Sequence, residues 1–136
     1  MKLIPFYLML LLSSQLTACS EAPYTDVDNQ GLRDLLEQGV PLFDVRRQQE
    51  WRQTGVVAGS RMLTCVDQHS RPMPGFLERL TAEVGAQEPV ILICRTGVRT
   101  ARLARKLTLE MGYTRVYNVR DGISGWIADG RAVSQP

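Results

Sequence analysis

The stretch VILICRTGVRTARLARKL, residues 90–107, sets one thiol between an apolar run and a helical pattern. Cys94 is followed by Arg95, Thr96, Gly97, Val98 and Arg99. A cysteine acts as a nucleophile through its thiolate, which helix N-termini and nearby cations favour. The same arrangement attracts anions, because the first amides of a helix lack intrahelical acceptors and sit at the positive end of its dipole. Cys94 is therefore a candidate nucleophile, and residues 95–99 are a candidate anion cradle carrying two arginines. A buried cysteine that merely ends a core strand is the alternative, but that role requires neither the glycine nor the arginines.

The flanking elements fit this placement. Val90 to Ile93 form a continuous apolar run, the pattern of a strand covered on both faces. From Val98 onward Leu103, Leu107 and Met111 recur at helical spacing beside Ala101 and Ala104, with Arg102, Arg105, Lys106 and Glu110 opposite and Gly112 as a stop. Upstream, Asp28 can cap a helix bearing Leu32, Leu35 and Leu36, before a strand from Pro41 to Val45. A short helical turn is expected at 48–55, a strand at 57–63, a helix around Phe76, Leu77, Leu80 and Val84, a last strand at 115–119, and a terminal helix with Trp126 facing the core. Alternation of strands and helices predicts an α/β domain with a mostly parallel sheet covered on both faces. Sites in such sheets form beyond the carboxyl ends of strands, which is where Cys94 falls.

The remainder of the chain bounds the setting. Of 136 residues, the first carry Lys2 and an apolar run from Ile4 to Leu12 that is too short to span a bilayer. LTAC, Leu16 to Cys19, then resembles a bacterial lipoprotein signal, with cleavage before Cys19 and lipidation of its thiol. The expected organisation is a signal peptide at 1–18, a tether at 19–23 and one domain at 24–136, exported to the periplasmic side of a membrane; Ser20 resembles the outer-membrane sorting habit. The formal charge of +2, with no basic tail, argues against a nucleic-acid partner. His69, the only histidine, lies in a polar stretch, and no metal-ligand spacing or cofactor motif is present.

LFDVRRQQEW, GVVAGS, CRTGVRT and GYTRVYNVRDGISGW, in this order, resemble a single-domain rhodanese-like sulfurtransferase over most of residues 24–130. The resemblance implies a five-stranded α/β domain in which Cys94 accepts sulfane sulfur from a small anionic donor such as thiosulfate. A thiol, cyanide or a protein thiol would then take that sulfur. Arg95, Thr96, Gly97, Val98 and Arg99 would cradle the persulfide, with Arg95 and Arg99 holding the anion, while Asp44 and Arg46 would brace the loop. Two positions depart from the pattern: Val56 where a histidine is common, and Asp121–Gly122 where paired glycines are common. Competing readings are a phosphatase or arsenate reductase, whose loop has five residues between Cys and Arg against four here, and a noncatalytic binding or redox-sensing module. Cys65 reads either as a resolving thiol or as a small buried hydrophobe.

Overall fold

The computed structural model describes residues 21–136. Residues 1–18, expected to be a signal peptide, and the lipidation candidate Cys19 lie outside the described residues. Five strands form one sheet: β1 (Thr25–Val27), β2 (Leu42–Asp44), β3 (Arg61–Met62), β4 (Val90–Ile93) and β5 (Val116–Val119), in the order β1-β5-β4-β2-β3. All pairings are parallel. Helices α1 (Asn29–Glu37), α2 (Gln48–Thr54), α3 (Phe76–Glu83), α4 (Val98–Met111) and α5 (Gly122–Ala128) make the crossovers.

Alternation along the central strand divides the core in two. Val90, Leu92 and Cys94 join the layer formed with Leu80 of α3 and with Ala104 and Leu107 of α4. Ile91 and Ile93 face the other layer, with Leu32 of α1 and Ile123 and Trp126 of α5. Every β4 residue is fully buried, as its unbroken apolar run requires. Asp28 caps α1 by accepting a hydrogen bond from the Gly31 amide at 2.8 Å, and Gly112 ends α4 at φ 74°.

The strand expected at 57–63 contracts to the two exposed residues of β3. Gly59 turns the chain at φ 82° and Ser60 donates its amide to the Val57 carbonyl at 3.1 Å, so the backbone folds back before pairing begins. The sequence reading omits β1 entirely, because Thr25 and Asp26 are polar and exposed and the strand is an edge.

One polar knot is buried beside the sheet. Arg46 is 0% exposed; its guanidinium donates to both Asp44 oxygens (Nη2 to Oδ2 2.8 Å), to Thr54 Oγ1 at 2.8 Å and to the carbonyls of Glu50 and Gly55. The indole of Trp51 donates to Asp44 Oδ1 at 3.0 Å. The pair therefore fastens α2 to the end of β2. Removing one partner leaves a buried charge uncompensated, so Arg46→Met is expected to lower unfolding stability by about 3–5 kcal/mol, read as a shift in the urea midpoint.

Candidate active site

Cys94 ends β4 and lies 1% exposed at the head of α4. Its Sγ accepts the Gly97 amide at 3.2 Å and stands 3.3 Å from the Thr100 hydroxyl. The loop carbonyls are drawn away from the sulfur, since the Ile123 amide donates to Cys94 O at 2.9 Å and the Ser124 amide to Arg95 O at 3.0 Å. The first amides of α5 thus donate to the carbonyls of the loop, and the Gly97 amide at the N-cap of α4 is the one that rests on Sγ. Two glycines permit this approach. A Cβ on Gly97 (φ 90°) would collide with the Arg120 carbonyl, and one on Gly122 (φ 61°) would overlap the Arg95 carbonyl and the Thr96 amide. Asp121 is where the chain departs from the paired glycines of the family pattern, and Gly122, the glycine it keeps, is the position that lets the loop seat.

Behind the sulfur runs a polar chain that sequence reasoning missed. The Thr100 hydroxyl, fully buried, donates to Asn118 Oδ1; the Asn118 amide donates to Asp26 Oδ1 at 2.8 Å and to the Gly97 carbonyl at 3.2 Å. Asp26 and Asn118 are register partners of β1 and β5. The unrecognised edge strand therefore fixes the amide that orients Thr100. The only signal in the sequence is a threonine on the inward face of α4 and an asparagine inside an apolar strand.

The two arginines separate. Arg95 is exposed at the mouth of the site, free of any ion pair among the described residues. Arg99 does not offer its charge freely to a donor: its fork is engaged with Glu50, Nη1 to Oε2 at 3.1 Å and Nη2 to Oε1 at 3.2 Å. Burial would raise the Glu50 carboxyl, but Arg99, the Arg47 amide at 2.9 Å and both nearby guanidinium charges outweigh it and hold the group at about 2. Asp44 and Arg46 consequently brace the cradle at one remove, by fastening the helix that carries Glu50 to Arg99.

The other singled-out residues have plainer places. Cys65 is a free thiol, 8% exposed, packed in the layer of Cys94. Burial pushes it up to about 11, which leaves it protonated at neutral pH and suits a small core residue better than a resolving nucleophile. His69 is exposed. Trp126 is buried, its indole donating to Ala132 O at 2.9 Å, whereas Trp51 is half-buried on Asp44. Val56 is buried and exchanges backbone hydrogen bonds with Ser134.

This arrangement, a buried thiol held against the Gly97 amide beside a largely apolar hollow, has the chemistry to hold an added sulfur in anionic form. A family model described as Rhodanese-like domain matches residues 28–129. Thiosulfate sulfurtransferase GlpE of Actinobacillus pleuropneumoniae is 44% identical over 52 residues, 38% of this chain and 47% of that protein. The chain thus spans about half the length of that relative. Thiosulfate sulfurtransferase 16, chloroplastic, of Arabidopsis thaliana is 30% identical over 100 residues, covering 71% of this chain and 82% of its own. The crystal structure of Rv0390 from M. tuberculosis superposes with a TM-score of 0.66 at 27% identity, over 83% of this chain and 99% of that one.

The Glu50 carboxylate has a testable pH signature. Its folded value of about 2 lies below its ordinary 4.5, so its contribution is complete above about pH 5 and fades as pH falls from 4.5 towards 2, to a limit of about 3 kcal/mol. Thermal unfolding of Glu50→Gln across this range should show a lower midpoint than the native chain at neutral pH and convergence with it near pH 2.

Proposed function

The chain belongs to the rhodanese-like family, and on that premise we propose that it is a sulfurtransferase working through a persulfide on Cys94. The carrying observation is the loop geometry, in which the Gly97 amide already rests on Sγ while α5 has removed the loop carbonyls. The Cys94 thiolate attacks the outer sulfur of an anionic donor such as thiosulfate. The donor S–S bond breaks, sulfite leaves with the bonding pair, and a Cys94 persulfide remains. An acceptor thiolate or cyanide then attacks the terminal sulfur, and Cys94 departs as thiolate. Sulfur changes hands without an external oxidant or reductant.

In this reading the amides of residues 95–99 stabilise the anionic sulfur in both resting and loaded states, and exposed Arg95 draws the donor in. Arg99 acts by closing the loop onto Glu50, with Asp44 and Arg46 supporting it through α2. The four-residue gap between Cys94 and Arg99 suits a single sulfur atom better than a tetrahedral oxyanion, which disfavours the phosphatase reading. Retention of Cys94 together with the inward amides disfavours a purely noncatalytic module.

Export and anchoring form a further part of the proposal. Lys2, the run from Ile4 to Leu12 and LTAC support a lipoprotein signal that leaves Cys19 acylated and the domain from residue 24 in the aqueous phase beside a membrane. Multiple acyl chains on one cysteine anchor stably where a single chain does not.

Incubation of the purified domain with thiosulfate is expected to add one sulfur atom to Cys94 by intact-mass spectrometry. Cys94→Ser should show neither that gain nor turnover with cyanide; turnover persisting in this variant would move the chemistry to another residue, Cys65 first. For the anchor, bacteria fed labelled palmitate should label the mature protein, and Cys19→Ala should abolish the label. Unlabelled full-length protein in the cytosol would contradict the assigned location.

A further inference from the structure

Next to Cys94 opens a cavity of about 570 Å³, a size usual for small-molecule sites and far larger than thiosulfate or cyanide requires. Its walls are of two kinds. Val66, Pro72, Phe76, Leu77 and Leu103 present apolar surface. Arg95, Arg102 and Lys106, the latter two on α4, supply positive charge to its lining. Val98, Arg102 and Lys106 recur every fourth residue of α4, so the charges run away from the sulfur in steps of about 6 Å. Lys106 is paired with Glu110 at 2.6 Å, and Arg99 with Glu50. Arg102 is exposed and has no acidic partner among the described residues.

Resting on the sulfurtransferase reading, we propose that this groove binds the sulfur acceptor, and that the acceptor is an amphipathic thiol with an extended apolar body and an anionic end set against Arg102. A neutral apolar thiol would leave the rim charge unmatched, and a short anionic thiol would leave the apolar wall wet. Only a molecule with both features, separated by one to two helical turns, uses both walls while its sulfur reaches the persulfide. The acceptor thiolate attacks the outer sulfur of Cys94–S–S⁻, a new S–S bond forms on the acceptor as the bond to Cys94 Sγ breaks, and Cys94 leaves as thiolate with the bonding pair, so charge is conserved without a proton. The product is the acceptor's own persulfide. Specificity for the acceptor thereby resides in α4 and the 66–77 segment, whereas the donor is recognised by the cradle.

The test uses the domain loaded with thiosulfate, freed of donor and sulfite, and verified by mass. Discharge of the persulfide is then followed with 8-mercaptooctanoate, 8-mercapto-1-octanol and 3-mercaptopropionate, alkyl thiols that share the reacting group and differ in length and charge. An extended eight-carbon chain spans on the order of two helical turns. At limiting concentration 8-mercaptooctanoate should discharge Cys94 about ten-fold faster than either comparator, a factor corresponding to about 1.4 kcal/mol. Arg102→Glu should erase that advantage while leaving discharge by cyanide, which does not use the groove, at the native rate. Equal rates for the three thiols, or an advantage that survives Arg102→Glu, would overturn the acceptor assignment alone. Failure of Cys94 to load from thiosulfate or polysulfide would overturn the sulfurtransferase reading and the acceptor assignment with it.

Discussion

The site depends on a close approach of two backbone segments. Residues 94–97 press against residues 119–123, and the amides of Ile123 and Ser124 take the carbonyls of Cys94 and Arg95. A loop this tight has as many carbonyls as amides, and an inward carbonyl would set a negative dipole against an anionic sulfur. The start of α5 resolves this by donating its otherwise unsatisfied amides to the loop's carbonyls, so two helix N-termini serve one sulfur in different ways. The Gly97 amide at the N-cap of α4 rests on it and the amides of α5 turn its competitors aside. The contact exists only because positions 97 and 122 carry no Cβ.

Around this contact the molecule is stiff on one side and open on the other. The stiff side is a chain of charged hydrogen bonds: Asp44 to Arg46, Arg46 to the carbonyls of α2, and Glu50 of α2 to Arg99 of α4. Each link is buried or half-buried, so it is screened little by solvent, and each is satisfied, which is the condition for such groups to organise rather than weaken a core. Among the described residues no buried side-chain polar atom is left without a partner. The open side is the apolar hollow between α4 and the segment that follows β3. The Thr100–Asn118–Asp26 relay sits beneath the sulfur and links it to the sheet edge.

How much of this was legible in the sequence follows the range of the interactions. The thiol, its glycine and the helix after it lie within a few residues of one another, and the apolar runs of β4 and α4 carry strong periodic signals, so the placement of Cys94 between the end of a buried strand and the head of a helix could be read directly. The parallel sheet followed from the alternation of elements. What failed was long-range or weakly patterned. Arg99 reads as a free cation because its partner Glu50 lies 49 residues upstream. Asn118 reads as a strand interruption because its partner Asp26 belongs to an edge strand with no apolar alternation. The expected strand at 57–63 had the right composition, but the turn at Gly59 leaves only two residues to pair. Cys65 stayed ambiguous because burial, which decides its protonation, is a tertiary property.

The backbone contact at Gly122 keeps the cradle seated with the Gly97 amide on Cys94, and the rate at which thiosulfate sulfur loads onto that residue reports on it. The comparison is rapid-quench mass spectrometry of the native domain against Gly122→Ala, with circular dichroism verifying that the variant remains folded. A methyl group there must push the Arg95 carbonyl and Thr96 amide aside, and losing even one aimed donor typically slows such chemistry by about 10²-fold. A folded Gly122→Ala domain loading at least that much more slowly is the predicted result. A folded variant loading at the native rate would show that the contact at Gly122 does not set the reactivity of Cys94.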